Sequence, residues 1–192
     1  MSKDGELGRI LLFLRYELPL WMIALLTNWL PEFTPACRLR GFLSRPFLGR
    51  CGKNFAYGAR VRFLAPWGIE VGKDVYVASG CWLSGGAKLV LEDEILIGPY
   101  SIIATGSHRM KGESFRFAGF DRQPVWIGRG TWIGAHVLVT PGVRIGKANL
   151  ISGAAVVTKS TPDHVMMAGV PARVIRDLSG KGGKNQWAEL QR

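Results

Sequence analysis

Acidic residues are scarce in this 192-residue chain, where 14 Asp and Glu stand against 25 Lys and Arg for a formal net charge of +11. Between Phe33 and Ile69 there is none, while Arg38, Arg40, Arg45, Arg50, Lys53, Arg60 and Arg62 fall in that stretch. Such an imbalance favours anionic partners: a phosphorylated cofactor, an acidic membrane surface or nucleic acid. No nucleic-acid-binding motif is present, so nucleic acid is not expected. Cysteine is equally sparse. Cys37, Cys51 and Cys81 fit no metal spacing and leave one thiol unpaired, which argues against a disulfide framework and suits a reducing, cytoplasmic compartment. Cys81 has no histidine near it in sequence and reads as a small buried hydrophobe rather than a nucleophile. Only three histidines occur, His108, His136 and His164, with gaps of 28 and 28 residues that suit no zinc cluster, so no metal is expected.

One apolar run, Ile10 to Leu30, is long enough to resemble a membrane span. It is interrupted by Arg15, Glu17 and Pro19, and it lacks a signal-peptide cleavage site. The expectation is a pair of short amphipathic helices ending near Pro31. In the basic stretch that follows, cations alternate with Leu39, Phe42, Leu43, Phe47 and Leu48. Residues 1–54 are therefore expected to cap the next domain, to touch anionic headgroups, or both.

From Ile127 to Pro162 the chain keeps a period of six. Ile127, Ile133, Val139, Ile145, Ile151 and Val157 are branched aliphatics, and each is followed by a small residue: Gly128, Gly134, Thr140, Gly146, Ser152 and Thr158. That period matches neither a helix nor a two-faced strand, and the β-branched, Gly-rich composition argues against helix. It describes an all-β solenoid of parallel strands, in which three short segments close a triangular coil of about 18 residues and coils stack about 4.8 Å apart. A β-sandwich with evenly spaced turns is the alternative, but it rarely holds so strict a period. The beat is also present at Val71, Val77, Leu83 and Leu89, then slips by two residues into Ile97 and Ile103.

Over residues 107–124 the beat disappears. His, Arg, Asp and Glu cannot occupy inward positions cheaply, so this stretch is expected to be an extruded loop, and loops of that length usually carry function. His108 stands at its root. After Pro162 the chain leaves the solenoid, His164 reads as a turn residue and His136 as an outward polar one. Residues 177–192 form a Gly- and Lys-rich tail with a short helix around Trp187.

The runs Trp132-Ile-Gly-Ala-His-Val, Pro141-Gly-Val-Arg-Ile-Gly, Val156-Val-Thr-Lys and Ala168-Gly-Val-Pro-Ala-Arg-Val-Ile resemble the hexapeptide-repeat acyltransferases. Within them they are most similar to galactoside, maltose and nodulation acetyltransferases and to polysaccharide (colanic-acid-like) O-acetyltransferases. The resemblance covers roughly residues 55–176 and implies a left-handed parallel β-helix, a homotrimer and acetyl-CoA as acyl donor. It implies His108 as the general base that takes a proton from an acceptor hydroxyl, a task to which imidazole is suited at neutral pH. It places coenzyme A against Trp132, Ala135, Gly153, Thr158, Lys159, Arg173 and Arg176, with Ala135 and Gly153 contributing backbone only and the cations meeting phosphate.

Galactoside- and maltose-type members carry an asparagine about two coils before the histidine, where this chain has Ala78-Ser-Gly-Cys81. The departure and the basic N-terminal region point to a sugar of a surface polysaccharide or its lipid-linked precursor, met at the inner face of the cytoplasmic membrane. An acetyltransferase for a small diffusible acceptor, such as an antibiotic or free sugar, and a non-catalytic solenoid scaffold are the alternatives.

Overall fold

Every aliphatic of the six-residue beat from Ile127 to Val157 points inward and is at most 1% exposed. In the computed structural model, which describes residues 3–180, these side chains line the axis of a parallel β-helix. The first face is built from Arg50–Cys51, Ile69–Val71, Leu89–Leu91, Val125–Ile127 and Arg144–Ile145. The second runs through Ala56–Tyr57, Tyr76–Val77, Leu96–Ile97, Trp132–Ile133, Leu150–Ile151 and Val165–Gly169, and the third through Arg62–Leu64, Trp82–Ser84, Ile102–Ile103, Leu138–Val139 and Val156–Val157. Five full coils result, and the helix is left-handed. Ala172–Asp177 folds back antiparallel on Val165–Gly169 and ends the second sheet.

The small residue after each inward aliphatic has a steric cause. A Cβ on Gly128 would lie 2.6 Å from the carbonyl carbon of Gly146, and one on Gly134 would lie 2.6 Å from the nitrogen of Gly153. At these two glycines the stacked backbones leave no room for a side chain, whereas Thr140, Ser152 and Thr158 carry theirs at the equivalent positions. The two-residue slip is also explained. Cys51 pairs with Val71 and Val71 with Leu91, whereas Ile127 pairs with Ile145. The first two coils are therefore longer, because the corner between the third and first faces carries a 3₁₀ turn at Pro66–Gly68 and the segment Gly85-Gly-Ala87.

The first paired strand, Arg50–Cys51, precedes the expected start at Phe55. Upstream, α1 (Lys3–Leu12), a π-helical turn (Phe13–Glu17) and α2 (Leu18–Thr27) run on without a break, so the expected pair of separate helices is one continuous helix. Pro19 does not divide it; the π-helical turn Phe13–Glu17 directly precedes this proline, so the regular ladder of i→i−4 bonds is already interrupted where its N–H is missing. By length and composition, Glu6–Thr27 could cross a membrane. Here one side of the helix instead rests on the fold: Arg15 donates to the Pro46 carbonyl, Tyr16 meets Trp67 with ring centroids 6.0 Å apart, and Leu20 joins the core.

The basic stretch forms α3 (Thr34–Ser44), which packs across the open end of the first coil. Ser44 and Tyr57 share a 2.6 Å hydrogen bond, and Gly41 lies so close to the Phe55 carbonyl that a Cβ would collide with it. Arg40 corrects the sequence reading. In sequence it stands among surface cations, yet it is fully buried and donates Nη2 to the carbonyls of Thr27 at 2.9 Å and Leu30 at 3.0 Å. It therefore ties α3 to the C-terminal end of α2. Arg38, Arg50, Lys53, Arg60 and Arg62 are exposed, and Arg45 is half-buried. Residues 1–2 and 181–192, including the expected helix around Trp187, lie outside the described residues.

Candidate active site

The extruded loop leaves the third coil at the corner between the third and first faces and is better ordered than its lack of pattern suggests. Gly106–His108 and Phe120–Arg122 pair as an antiparallel hairpin, with His108 opposite Phe120. Thr105 fixes its root. This side chain is fully buried, donates to the Ser84 carbonyl at 3.0 Å and accepts from the Ala87 amide at 3.1 Å, while its own carbonyl accepts from the Gln123 amide at 3.0 Å. Both stems of the loop are thus held by one residue. Farther out, Arg109 donates Nε and Nη2 to Asp121 Oδ1 at 3.2 and 2.8 Å.

His108 projects from this hairpin with its ring 4.3 Å from that of Phe120, centroid to centroid. The imidazole is exposed and makes no side-chain hydrogen bond among the described residues. It can therefore receive a proton from an incoming hydroxyl. The ring borders a groove of about 1120 Å³ that runs between the loop, the third-face corners of the first two coils and α1. Trp67, Trp82, Ser84 and Arg122 line it beside His108, and Ile10 and Phe13 form the far wall.

Sequence reasoning missed these neighbours. Trp82 and Ser84 flank the inward Leu83, so alternation alone marks them as outward. Nothing local to α1 signals that it would lie across from the loop.

The seven residues matched to coenzyme A do not form one cluster within a chain. Trp132 lies outward on the second face, and Ala135 and Gly153 stack at its corner with the third, where the Ala154 amide donates to the Ala135 carbonyl at 2.8 Å. Thr158 and Lys159 follow the third-face strand of the last coil, on the corner from which the His108 loop springs two coils earlier, about 10 Å along the axis. Arg173 and Arg176 lie on the returning strand beside Ala168 and Met166. None of the seven lines the His108 groove. The cations do fit a phosphorylated ligand: Lys159 and Arg173 are exposed, Arg176 is half-buried, and none of them has a carboxylate partner among the described residues.

The remaining candidates separate cleanly. His136 is exposed and stacks on Tyr100 at 5.3 Å, and His164 is a turn residue with φ +56°. With His108 they occupy three different corners of the triangle. Among the described residues no group of three or more His, Cys, Asp or Glu could hold a metal. Cys81 is fully buried with its thiol 3.1 Å from the Gly98 carbonyl, and burial pushes that thiol up to about 11, so it is not a thiolate nucleophile at neutral pH.

No family model matches the chain. The galactoside O-acetyltransferase of Escherichia coli is 30% identical over 148 residues, 74% of this chain and 70% of that protein. A Staphylococcus aureus protein named as an acetyltransferase, SACOL2570, is 37% identical over 116 residues, so the chain spans only 56% of its length. Among solved structures, a galactoside acetyltransferase in complex with coenzyme A superposes with a TM-score of 0.73 at 26% identity, over 88% of this chain and 85% of the other. A hexapeptide-repeat acetyltransferase from Vibrio cholerae complexed with acetyl coenzyme A does so with a TM-score of 0.73 at 25% identity, over 83% and 85%. With the strand period, the left-handed coil and the looped-out histidine, these likenesses mean that the chain belongs to the hexapeptide-repeat acetyltransferases.

Proposed function

We propose that the protein transfers an acetyl group from acetyl-CoA to a hydroxyl of a saccharide, with His108 as general base. The observation that carries this is the exposed imidazole, without a side-chain hydrogen bond, held over a groove by a loop clamped at Thr105. His108 removes the proton of the acceptor hydroxyl as that oxygen attacks the thioester carbonyl, and returns it to the departing thiolate as the C–S bond breaks. Thiolate is a good leaving group, so no covalent enzyme intermediate is needed.

The acceptor we favour belongs to a surface polysaccharide or its lipid-linked precursor. Support comes from Ala78-Ser-Gly-Cys81, where no asparagine stands, and from the aromatic and aliphatic lining of the groove. The direct test supplies acetyl-CoA with candidate saccharides and follows thiol release together with acetylation of the sugar. An alkali-labile acetyl ester is the expected product; a stable amide, or thiol release that no saccharide stimulates, would refute the reading.

The site is proposed to be completed in a homotrimer. Outward side chains of the second face (Leu96, Trp132) and third face (Ile102, Leu138) form apolar columns that a neighbouring copy would cover, whereas the outward column of the first face, Arg50, Glu70, Val90, Trp126 and Arg144, carries three charges. Packing copies together would bring the last-coil cations of one chain toward the His108 loop of another.

A peripheral position at the inner face of the cytoplasmic membrane is proposed as well. Exposed Arg38 and Arg50 near an apolar helix support it. Flotation with anionic vesicles at low salt is expected to fall when Arg38, Arg45 and Arg50 become Gln, because such attraction is screened within about 10 Å at 0.1 M salt. Equal binding to neutral vesicles would contradict it.

A further inference from the structure

The groove beside His108 is larger and less polar than recognition of a single sugar ring requires. At about 1120 Å³ it exceeds the roughly 300–1,000 Å³ of pockets that hold drug-sized molecules. Ile10, Phe13, Leu64, Trp67, Trp82 and Phe120 line it, and all except Trp67 (37%) are more than 40% exposed. A sugar ring can stack its C–H face on one or two of the aromatic rings, but against Ile10, Phe13 and Leu64 its hydroxyls would lose water without gaining a partner. Ser84, His108 and Arg122 stand together on the loop side, while on the helix side Glu6, Arg9 and Glu17 lie to either side of Ile10 and Phe13.

The helical wall explains what else the occupant must satisfy. Glu6, Arg9, Ile10, Phe13 and Glu17 recur at helical spacing and face the groove. Leu7, Leu11, Leu14, Trp21 and Leu25 recur at the same spacing on an adjacent face and are between 50% and 62% exposed. Over the 22 residues from Glu6 to Thr27 that second stripe runs for about 33 Å. Exposed apolar surface of this extent marks a lipid or partner contact. The groove wall and the stripe belong to one helix, so a molecule leaving the groove past α1 passes directly onto the apolar stripe.

We propose that the groove binds an amphiphilic glycoside, its saccharide at His108 and its hydrocarbon chain between α1 and Trp67, so that the acceptor is taken while still attached to lipid. The inference rests on the acyl-transfer reading above and names the class of acceptor for that site. Trp82 and Phe120 offer ring faces to the saccharide, while Ile10, Phe13, Leu64 and Trp67 receive the chain.

The test compares methyl, octyl and dodecyl glycosides of the same sugars below their micelle concentrations. Binding is measured by calorimetry and transfer by thiol release from acetyl-CoA, on the full chain and on Phe13→Ala and Trp67→Ala. The octyl glycoside is expected to bind at least about tenfold tighter than the methyl one, since burial of two methylenes is worth that much. Each variant is expected to reduce that ratio severalfold. Trp67 supports Tyr16, so if Trp67→Ala fails to fold, the exposed Phe13 carries the test alone. Equal affinity for methyl and octyl glycosides, or a chain-length preference untouched by Phe13→Ala, overturns the proposal. Chain-length-dependent binding with no thiol release would uphold the groove and refute acyl transfer.

Discussion

Replacing Arg40 by alanine is expected to release the N-terminal helices from the solenoid. The guanidinium is fully buried and holds two carbonyls at the C-terminal end of α2, those of Thr27 and Leu30, at 2.9 and 3.0 Å; its Nη1 lies 3.8 Å from Cys37 Sγ. A hydrogen bond to a charged group contributes about 1.5–3 kcal/mol, and an orphaned buried carbonyl costs about 1–3 kcal/mol. Against this stands the desolvation of the cation, whose Nε has no partner. The balance is a loss of about 2–4 kcal/mol for Arg40→Ala. Arg40→Met, which keeps most of the volume, should recover the packing part and leave about 2 kcal/mol lost.

The effect should be regional, because the β-helix core does not contain Arg40. Amide exchange of α3 would rise well before that of Ile127–Val157. Since α1 walls the groove, thiol release with an amphiphilic acceptor should fall with undocking. Urea denaturation of the two variants, read by circular dichroism, gives the number. A loss under about 0.5 kcal/mol, within the range of ordinary surface substitutions, would show that Arg40 does not hold the cap.

Thr105→Val keeps the shape of the side chain but removes the hydroxyl that bonds Ser84 and Ala87; stability should drop by about 1–3 kcal/mol. Turnover should fall while KM for acetyl-CoA holds, measurable in one kinetic series. Burial raises the Cys81 thiol from 9.0 to about 11. The unfolded chain therefore ionises first, and stability that is whole below pH 9 should decline between pH 9 and 11 by about 3 kcal/mol, a slope that Cys81→Ala would lessen in alkaline denaturation curves. Mixing His108→Ala chains with Lys159→Ala/Arg176→Ala chains should restore about a quarter of wild-type activity if a trimer shares each site between two copies. No recovery from mixed oligomers, or an active monomer by light scattering, would refute the shared site.

The β-helix was legible because its core repeats a local pattern. Ile127 to Val157 obey one steric rule at every coil, so periodicity alone reveals their inward direction and the close stacking behind Gly128 and Gly134. His108 was legible as the polar residue at which the pattern breaks. What surrounds it was not. Trp67 and Trp82 come from earlier coils, and Ile10 and Phe13 from a helix nearly 100 residues upstream in sequence, which reaches the groove through its contacts with Pro46 and Trp67 and through α3 docked on the first coil. Arg40 misled for a related reason. A cation among cations reads as surface, and only the end of α2 folded against it supplies the carbonyls that make its burial tolerable.

The central claim, that His108 is the base of an acyl transfer, is most directly tested by turnover of His108→Ala beside its affinity for acetyl-CoA. Thiol release in the presence of an active saccharide should fall by about 10² to 10⁴, the usual contribution of a general base, while acetyl-CoA binding measured by calorimetry stays within a factor of two or so. A variant that turns over within about threefold of wild type would contradict the account.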